Sequence, residues 1–295
     1  MNDFWILLTG ILVASACSLV GVFLVLRKMS MIGDAISHSV LPGIVVAFLL
    51  SGSRDSLFMM LGAAVVGLLT VFLIQMFTNG GVQADASIGV VFTALFSVGV
   101  VLVSIYTRQI DLDLDCVLYG EIAYVPWNTL ELFGHELGPK AVWASGGALL
   151  LSAIVIGLFY KQFKIGSFDP AMAAALGIPV VLFHYILMTL VSITTVASFE
   201  SVGAVLVVGM LIVPAATAYL LTEKLGWMIV WSISVGALSA VLGYYMSYLL
   251  DASIAGCMIT VAGILFILAL LFSPSHGVVW KRLRLRALAL KQQSL

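Results

Sequence analysis

A chain of 295 residues that is 62% apolar and 9% charged cannot clothe a soluble surface, which takes about a quarter charged residues. With 13 Lys and Arg against 14 Asp and Glu the net charge is −1, which disfavours a nucleic-acid groove. Every polar stretch is short and the three cysteines have no C-x-x-C spacing, so disorder, a disulfide scaffold and a large aqueous domain are excluded as well.

Apolar runs long enough to cross a bilayer occur at 4–26, 35–50, 57–77, 88–106, 142–160, 180–197, 202–221, 227–250 and 254–272. They predict an all-α polytopic membrane protein made of one transmembrane domain, 1–295. Ala14-Ser15-Ala16-Cys17 in the first run resembles a lipoprotein cleavage box, but no Lys or Arg precedes the run, and Arg27 and Lys28 follow it. An uncleaved span with its N-terminus outside is the expectation. Alternate loops then place Arg27, Lys28, Lys161, Lys164, Lys224, Lys281, Arg282, Arg284, Arg286 and Lys291 inside, and only Arg54, Arg108 and Lys140 outside. That bias orients the chain with its C-terminus in the cytoplasm.

The second apolar run carries two ionisable residues, Asp34 at its inner boundary and His38 within it. Four apart on a helix, they project from one face, where a carboxylate oxygen and an imidazole nitrogen can share a divalent cation. Ser37 and Ser39 add hydroxyls nearby, and Gly33, Pro42 and Gly43 permit a broken helix that exposes carbonyls to a cavity. The alternative is an Asp34 that caps the second span and a His38 that only packs.

The outer segment 107–141 is the one long loop. It carries Asp111, Asp113, Asp115, Glu121, Glu131 and Glu136 against Arg108 and Lys140, a negative mouth that would concentrate cations or simply remain wet. Its apolar 117–120 and 122–127 stretches predict packing on the spans or a dip into the membrane. His135-Glu136 resembles the start of a zinc-protease H-E-x-x-H, but position 139 is Pro. On the inner side, Asp169-Pro170 reads as a helix start, residues 171–176 as a short helix, and Gly177 with Pro179 as its end. So short a helix must dock, either on a partner or as a packed connector. His184, near the inner end of the sixth span, and Glu200, at the turn before the seventh, are secondary pathway candidates or ordinary interfacial residues. The basic tail around Lys281 to Arg286 fits an inner-leaflet anchor, and no G-x-x-x-x-G-K-[ST] phosphate loop is present.

GDAISHSVLPG at 33–43, LDLDCVLYGEIAYVPW at 112–127, FDPAMAAALGIP at 168–179 and SFESVGAVLVVGMLIVPAATA at 198–218 together resemble the permease of the ABC-type manganese, zinc and iron importers. The likeness covers nearly the whole chain, with the stretches in the family's order, and 112–127 looks closest to the manganese-type members. It implies the fold of the vitamin B12 and siderophore (type II) importer permeases in the bacterial cytoplasmic membrane. It implies a separate cytoplasmic ATPase, an extracytoplasmic metal-binding lipoprotein or periplasmic binding protein, and a second permease copy or similar subunit. It also implies a transported divalent metal rather than a permanently bound cofactor. On this reading Asp34 and His38 line the pathway, with His184 and Glu200 secondary. Phe168, Asp169, Pro170, Ala173, Ala174, Leu176 and Gly177 form the ATPase-coupling segment, and Arg54, Arg108 and Lys140 meet the binding protein. A carboxylate with one imidazole is a harder set than zinc prefers, which favours manganese over zinc or iron. An ion-coupled carrier would have no reason to keep 168–179, and an intramembrane protease would need an aspartate partner for Asp34 in another span.

Overall fold

The structure is a computed structural model that describes residues 2–51, 56–106, 122–132 and 135–273; side chains at 56, 57, 60, 131, 132, 135–137 and 200 fall outside the description. In chain order the elements are α1 (Asn2–Leu26), α2 (Met31–Ser39), α3 (Leu41–Ser51), α4 (Ser56–Asn79) and α5 (Ala84–Tyr106). A 3-10 turn (Ile122–Trp127), β1 (Thr129–Leu132) and β2 (His135–Pro139) follow. The chain continues through α6 (Lys140–Leu158), α7 (Tyr160–Phe168), α8 (Pro170–Ala175), α9 (Val180–Val202), α10 (Ala204–Leu221), α11 (Leu225–Leu250) and α12 (Ile254–Phe272). With α2 and α3 taken as one span, nine segments among the described residues are long and apolar enough to cross a bilayer.

A helix apolar all round belongs in the middle of a bundle, and α1 is there. Of its apolar window 78% is buried, against 11% for α5. Helices α6, α9, α10 and α11 surround it, and α12 closes on α10 and α11. Gly21 lets the backbones meet: a Cβ there would collide with the Leu211 carbonyl of α10. Lipid chains are as apolar as leucine, so close backbone approach of this kind holds membrane helices together. The second group, α2 to α5, joins the first through α9, which packs on both α4 and α1.

Two elements depart from the sequence expectation. Residues 160–168, expected as loop, form α7 because Phe163 is fully buried, 5.6 Å by ring centroids from Phe23 and 5.5 Å from Phe183, while Lys161 and Lys164 face out. In the outer segment β1 and β2 pair antiparallel, a hairpin absent from the sequence expectation although Thr129-Leu130-Glu131-Leu132 alternates polar and apolar as a short strand does. Ile122 and Val125 of the 3-10 turn are buried, so this part of the segment packs on the bundle.

Helix α1 ends in a Schellman motif. Lys28 donates to the Val25 carbonyl (3.1 Å) and Met29 to that of Leu24 (2.9 Å), with Lys28 at φ 58°. A lysine in this left-handed region costs about 1 kcal/mol or more that glycine would not. The turns expected in the cytoplasm, 26–29, 79 and 166–181, meet at one end of the bundle, and Ile6, Ile122 and 244–255 meet at the other.

Candidate functional site

Helix α2 begins at Met31, with Ser30 at its N-cap, so Asp34 is the fourth residue of the helix, at the end of its first turn, and is not the cap of the span. One turn on, His38 Nε2 stands 3.5 Å from Asp34 Oδ1. The His38 and Asp34 side chains remain 30% and 43% exposed, enough to receive an ion from a water-filled passage. Phe92 and Phe96 of α5 flank the imidazole, with ring centroids 5.6 and 6.1 Å away. An apolar wall on that side leaves the carboxylate as the polar neighbour of the ring.

The two serines serve the scaffold. Ser37 donates to the Gly33 carbonyl (2.9 Å), and Ser39 shares a 2.7 Å hydrogen bond with Thr70, tying α2 to α4. Pro42 has no N–H to give to the His38 carbonyl, which an unbroken helix would satisfy. The break is held by close packing: a Cβ on Gly99 of α5 would lie 2.8 Å from Pro42 Cδ. Gly43 of α3 and Gly62 of α4 touch so closely that a Cβ on either would meet the other's carbonyl oxygen.

The remaining expected residues lie elsewhere. Among the described residues no three His, Cys, Asp or Glu side chains gather into a metal-holding group. His184 lines a cleft at the inner end of the bundle with Arg27 and Lys28, away from Asp34 and His38. Glu200 falls in the last turn of α9, and its side chain lies outside the described set. Lys140 is exposed at the start of α6; Arg54, Arg108, the acids at 111–121 and the basic tail lie outside the described residues.

The inner connector has a built surface. Asp169 caps α8 by accepting from the Met172 N–H (2.9 Å), and Pro170 takes the first turn. Gly177, at φ 76°, ends it, with Ile178 N–H on the Ala173 carbonyl at 3.0 Å. Phe168, at the end of α7, and Met172 and Leu176, four apart on α8 and its C-cap, are 56%, 55% and 59% exposed, three large apolar side chains left uncovered on this connector. Ala174 is exposed beside them, whereas Ala173 is fully buried and faces the protein's own core. Sequence reasoning missed Met172 as a surface residue, although its spacing of four from Leu176 is a signal for it. It also missed Thr70, Phe92 and Phe96, which only the tertiary packing brings to the site.

A bundle with nine segments, among the described residues, long and apolar enough to cross a bilayer, and an ionisable pair beside a break in one of them, has the build of a multi-pass membrane permease. The chain belongs to the ABC 3 transport family, whose model matches residues 3–273. It is 55% identical over 280 residues to the manganese transport system membrane protein MntD of Bacillus subtilis (strain 168), covering 95% of each chain. It is 43% identical over 286 residues to the zinc transport system membrane protein TroD of Treponema pallidum (strain Nichols), covering 97% of this chain and 78% of that one. A chain of the PsaBC structure from Streptococcus pneumoniae, in complex with Fab, has the same fold. The TM-score is 0.78 at 32% identity, over 96% of this chain and 94% of that one. The chain is therefore a transport subunit of the bacterial cytoplasmic membrane.

Proposed function

We propose that the chain is the permease of an ATP-driven manganese importer and that Asp34 and His38 hold the ion in passage. The observation that carries this reading is the Asp34–His38 pair, 3.5 Å apart and half-exposed beside the Pro42 break, in a chain 55% identical to a manganese permease. Asp34 offers a hard oxygen, neutral His38 a nitrogen, and the His38 carbonyl, released by Pro42, a further oxygen; water completes the shell of an ion that must also leave. A second copy related by a two-fold axis would bring an identical pair, doubling the protein donors. The zinc relative uses the same scaffold, and the carboxylate favours the harder ion.

ATP is hydrolysed by a separate cytoplasmic ATPase that docks on the exposed Phe168, Met172 and Leu176, with Asp169, Pro170 and Gly177 shaping α8 and Ala174 at the contact. Ala173 supports this surface from within. An extracytoplasmic binding protein delivers the metal to the opposite face, where Lys140 stands exposed.

Uptake of radiolabelled manganese by cells expressing the complete importer tests the site. Asp34→Asn and His38→Ala should each reduce the initial rate by about tenfold or more, the loss of one charged or imidazole donor, at matched membrane expression. Wild-type rates in both variants reject the assignment. Zinc taken up in preference to manganese by the unmodified protein would transfer the same site to the softer ion.

A further inference from the structure

A cleft of about 450 Å³ opens at the inner end of the bundle between the end of α1, the end of α4, the α7–α8 corner and the first turns of α9. Its polar lining is Arg27, Lys28, His184 and Ser167 with the neutral Gln75, Asn79 and Tyr185, and among the described residues neither Asp nor Glu contributes to it. Arg27 donates through Nε to Ser167 Oγ (3.1 Å), while its Nη2 is buried with no hydrogen-bond partner among the described residues. His184 Nε2, in the same cleft, is also buried and unpartnered. An orphaned guanidinium N–H is costly unless an acceptor joins it, and His184 presents a second donor to the same cleft in the tautomer that carries its proton on Nε2.

Other features of the cleft have the same sign. Val180 and Val181 bring the N-terminus of α9 to the cleft, a helix of 23 residues whose N-cap Pro179 supplies no side-chain acceptor, so the positive end of its dipole is left uncapped there. Lys28 stands exposed at the rim, in the left-handed conformation that glycine would adopt freely. Burial draws the Arg27 guanidinium down from its ordinary value, as expected of a cation with no counter-ion.

We infer that this cleft is a phosphate site, in which Arg27, Lys28, His184 and the α9 N-terminus receive the phosphate group of an anionic ligand. A tetrahedral phosphate offers oxygens in several directions, which suits donors from α1, its following turn and α9 better than a planar carboxylate does. The group comes from an inner-leaflet phospholipid or from free phosphate. Exposed Val181 and Leu182 beside the opening, 69% and 53% accessible, give acyl chains a surface and favour the lipid. Bound there, the phosphate ties the end of α1 to α9 next to α8. This site makes no use of the metal assignment.

Native mass spectrometry of the full-length chain in detergent, titrated with phosphatidylglycerol or phosphatidylcholine, reads the binding. A parallel arm measures the melting temperature with inorganic phosphate or an equal ionic strength of chloride. The unmodified chain should retain phosphatidylglycerol over phosphatidylcholine. Arg27→Gln and His184→Leu should weaken it by about tenfold, and Lys28→Gln, on the exposed rim where folding is not at risk, by about threefold. Arg27→Lys should recover part of the loss. Stabilisation by inorganic phosphate alone, lost in the same variants, assigns the site to the free ion. No preference for either phosphate source, or an unchanged preference in all three weakening variants, overturns the inference.

Discussion

Pro42 acts on His38 through the backbone. It denies the His38 carbonyl its helical donor, and its ring rests on Gly99 of α5. In Pro42→Ala the new N–H can restore that bond, while the ring atoms lost from the α5 contact remove van der Waals packing. The two effects oppose, so the melting temperature should remain near that of the unmodified protein while manganese uptake falls. Uptake that survives the change would show that the carbonyl is not among the ion's oxygens. Ser39→Ala makes the complementary prediction. Losing the 2.7 Å link to Thr70 should lower stability by about 0.6 kcal/mol, the average for hydrogen bonds between membrane helices, without removing a metal donor. Asp34 and His38 were legible in the sequence because four residues is one helical turn and ionisable side chains in an apolar run stand out. The serines were not. Their hydroxyls could have faced the ion, and only the positions of the Gly33 carbonyl and Thr70 direct them elsewhere.

At the scale of elements, α7 and α8 divide into an anchored inner face and an apolar outer one. Phe163 and Ala173 are fully buried; Phe168, Met172 and Leu176 are exposed. The division separates two substitutions that the sequence alone treats as equivalent. Ala173→Trp drives an indole into a filled interior and should cost about 1–3 kcal/mol by overpacking, seen as a lower melting temperature. Ala174→Trp leaves the fold intact but places the indole on the docking face. It should release the ATPase on purification and stop transport, with the melting temperature unchanged. Co-purification and full metal-stimulated ATP turnover in Ala174→Trp would reduce α8 to a connector. The cap and stop of α8 could be read from Asp169-Pro170 and Gly177 because those signals are local. Helix α7 could not, since two lysines and a glutamine among three apolar residues in 160–165 become a helix only when Phe163 finds Phe23 and Phe183.

The bundle as a whole was the most legible feature, because a bilayer imposes its length on each apolar run and leaves the backbone no alternative to the helix. Which helix is central was hidden: 4–26 and 88–106 are both uninterrupted apolar runs, yet α1 is the core and α5 is largely exposed. Small residues such as Gly21 make the difference by admitting a neighbouring backbone, and that depends on what the neighbour offers. Orientation follows from the same geometry. The turns at 26–29, 79 and 166–181 come together at one end and Ile6, Ile122 and 244–255 at the other, so fixing the side of one turn fixes the side of its cluster. The basic-residue bias assigns the first cluster to the cytoplasm. Single cysteines at Asp169, in the first cluster, and at Asn128, beside the 3-10 turn that carries Ile122, therefore test the whole arrangement. The native Cys17, Cys116 and Cys257 are first replaced by serine or alanine, with retained uptake as the check on folding. An impermeant thiol reagent applied to intact cells should label position 128 and leave 169 unlabelled until the membrane is opened. Labelling of 169 before lysis would invert the chain, placing α8 and the Arg27 cleft outside the cell and ruling out the ATPase docking face at Phe168, Met172 and Leu176.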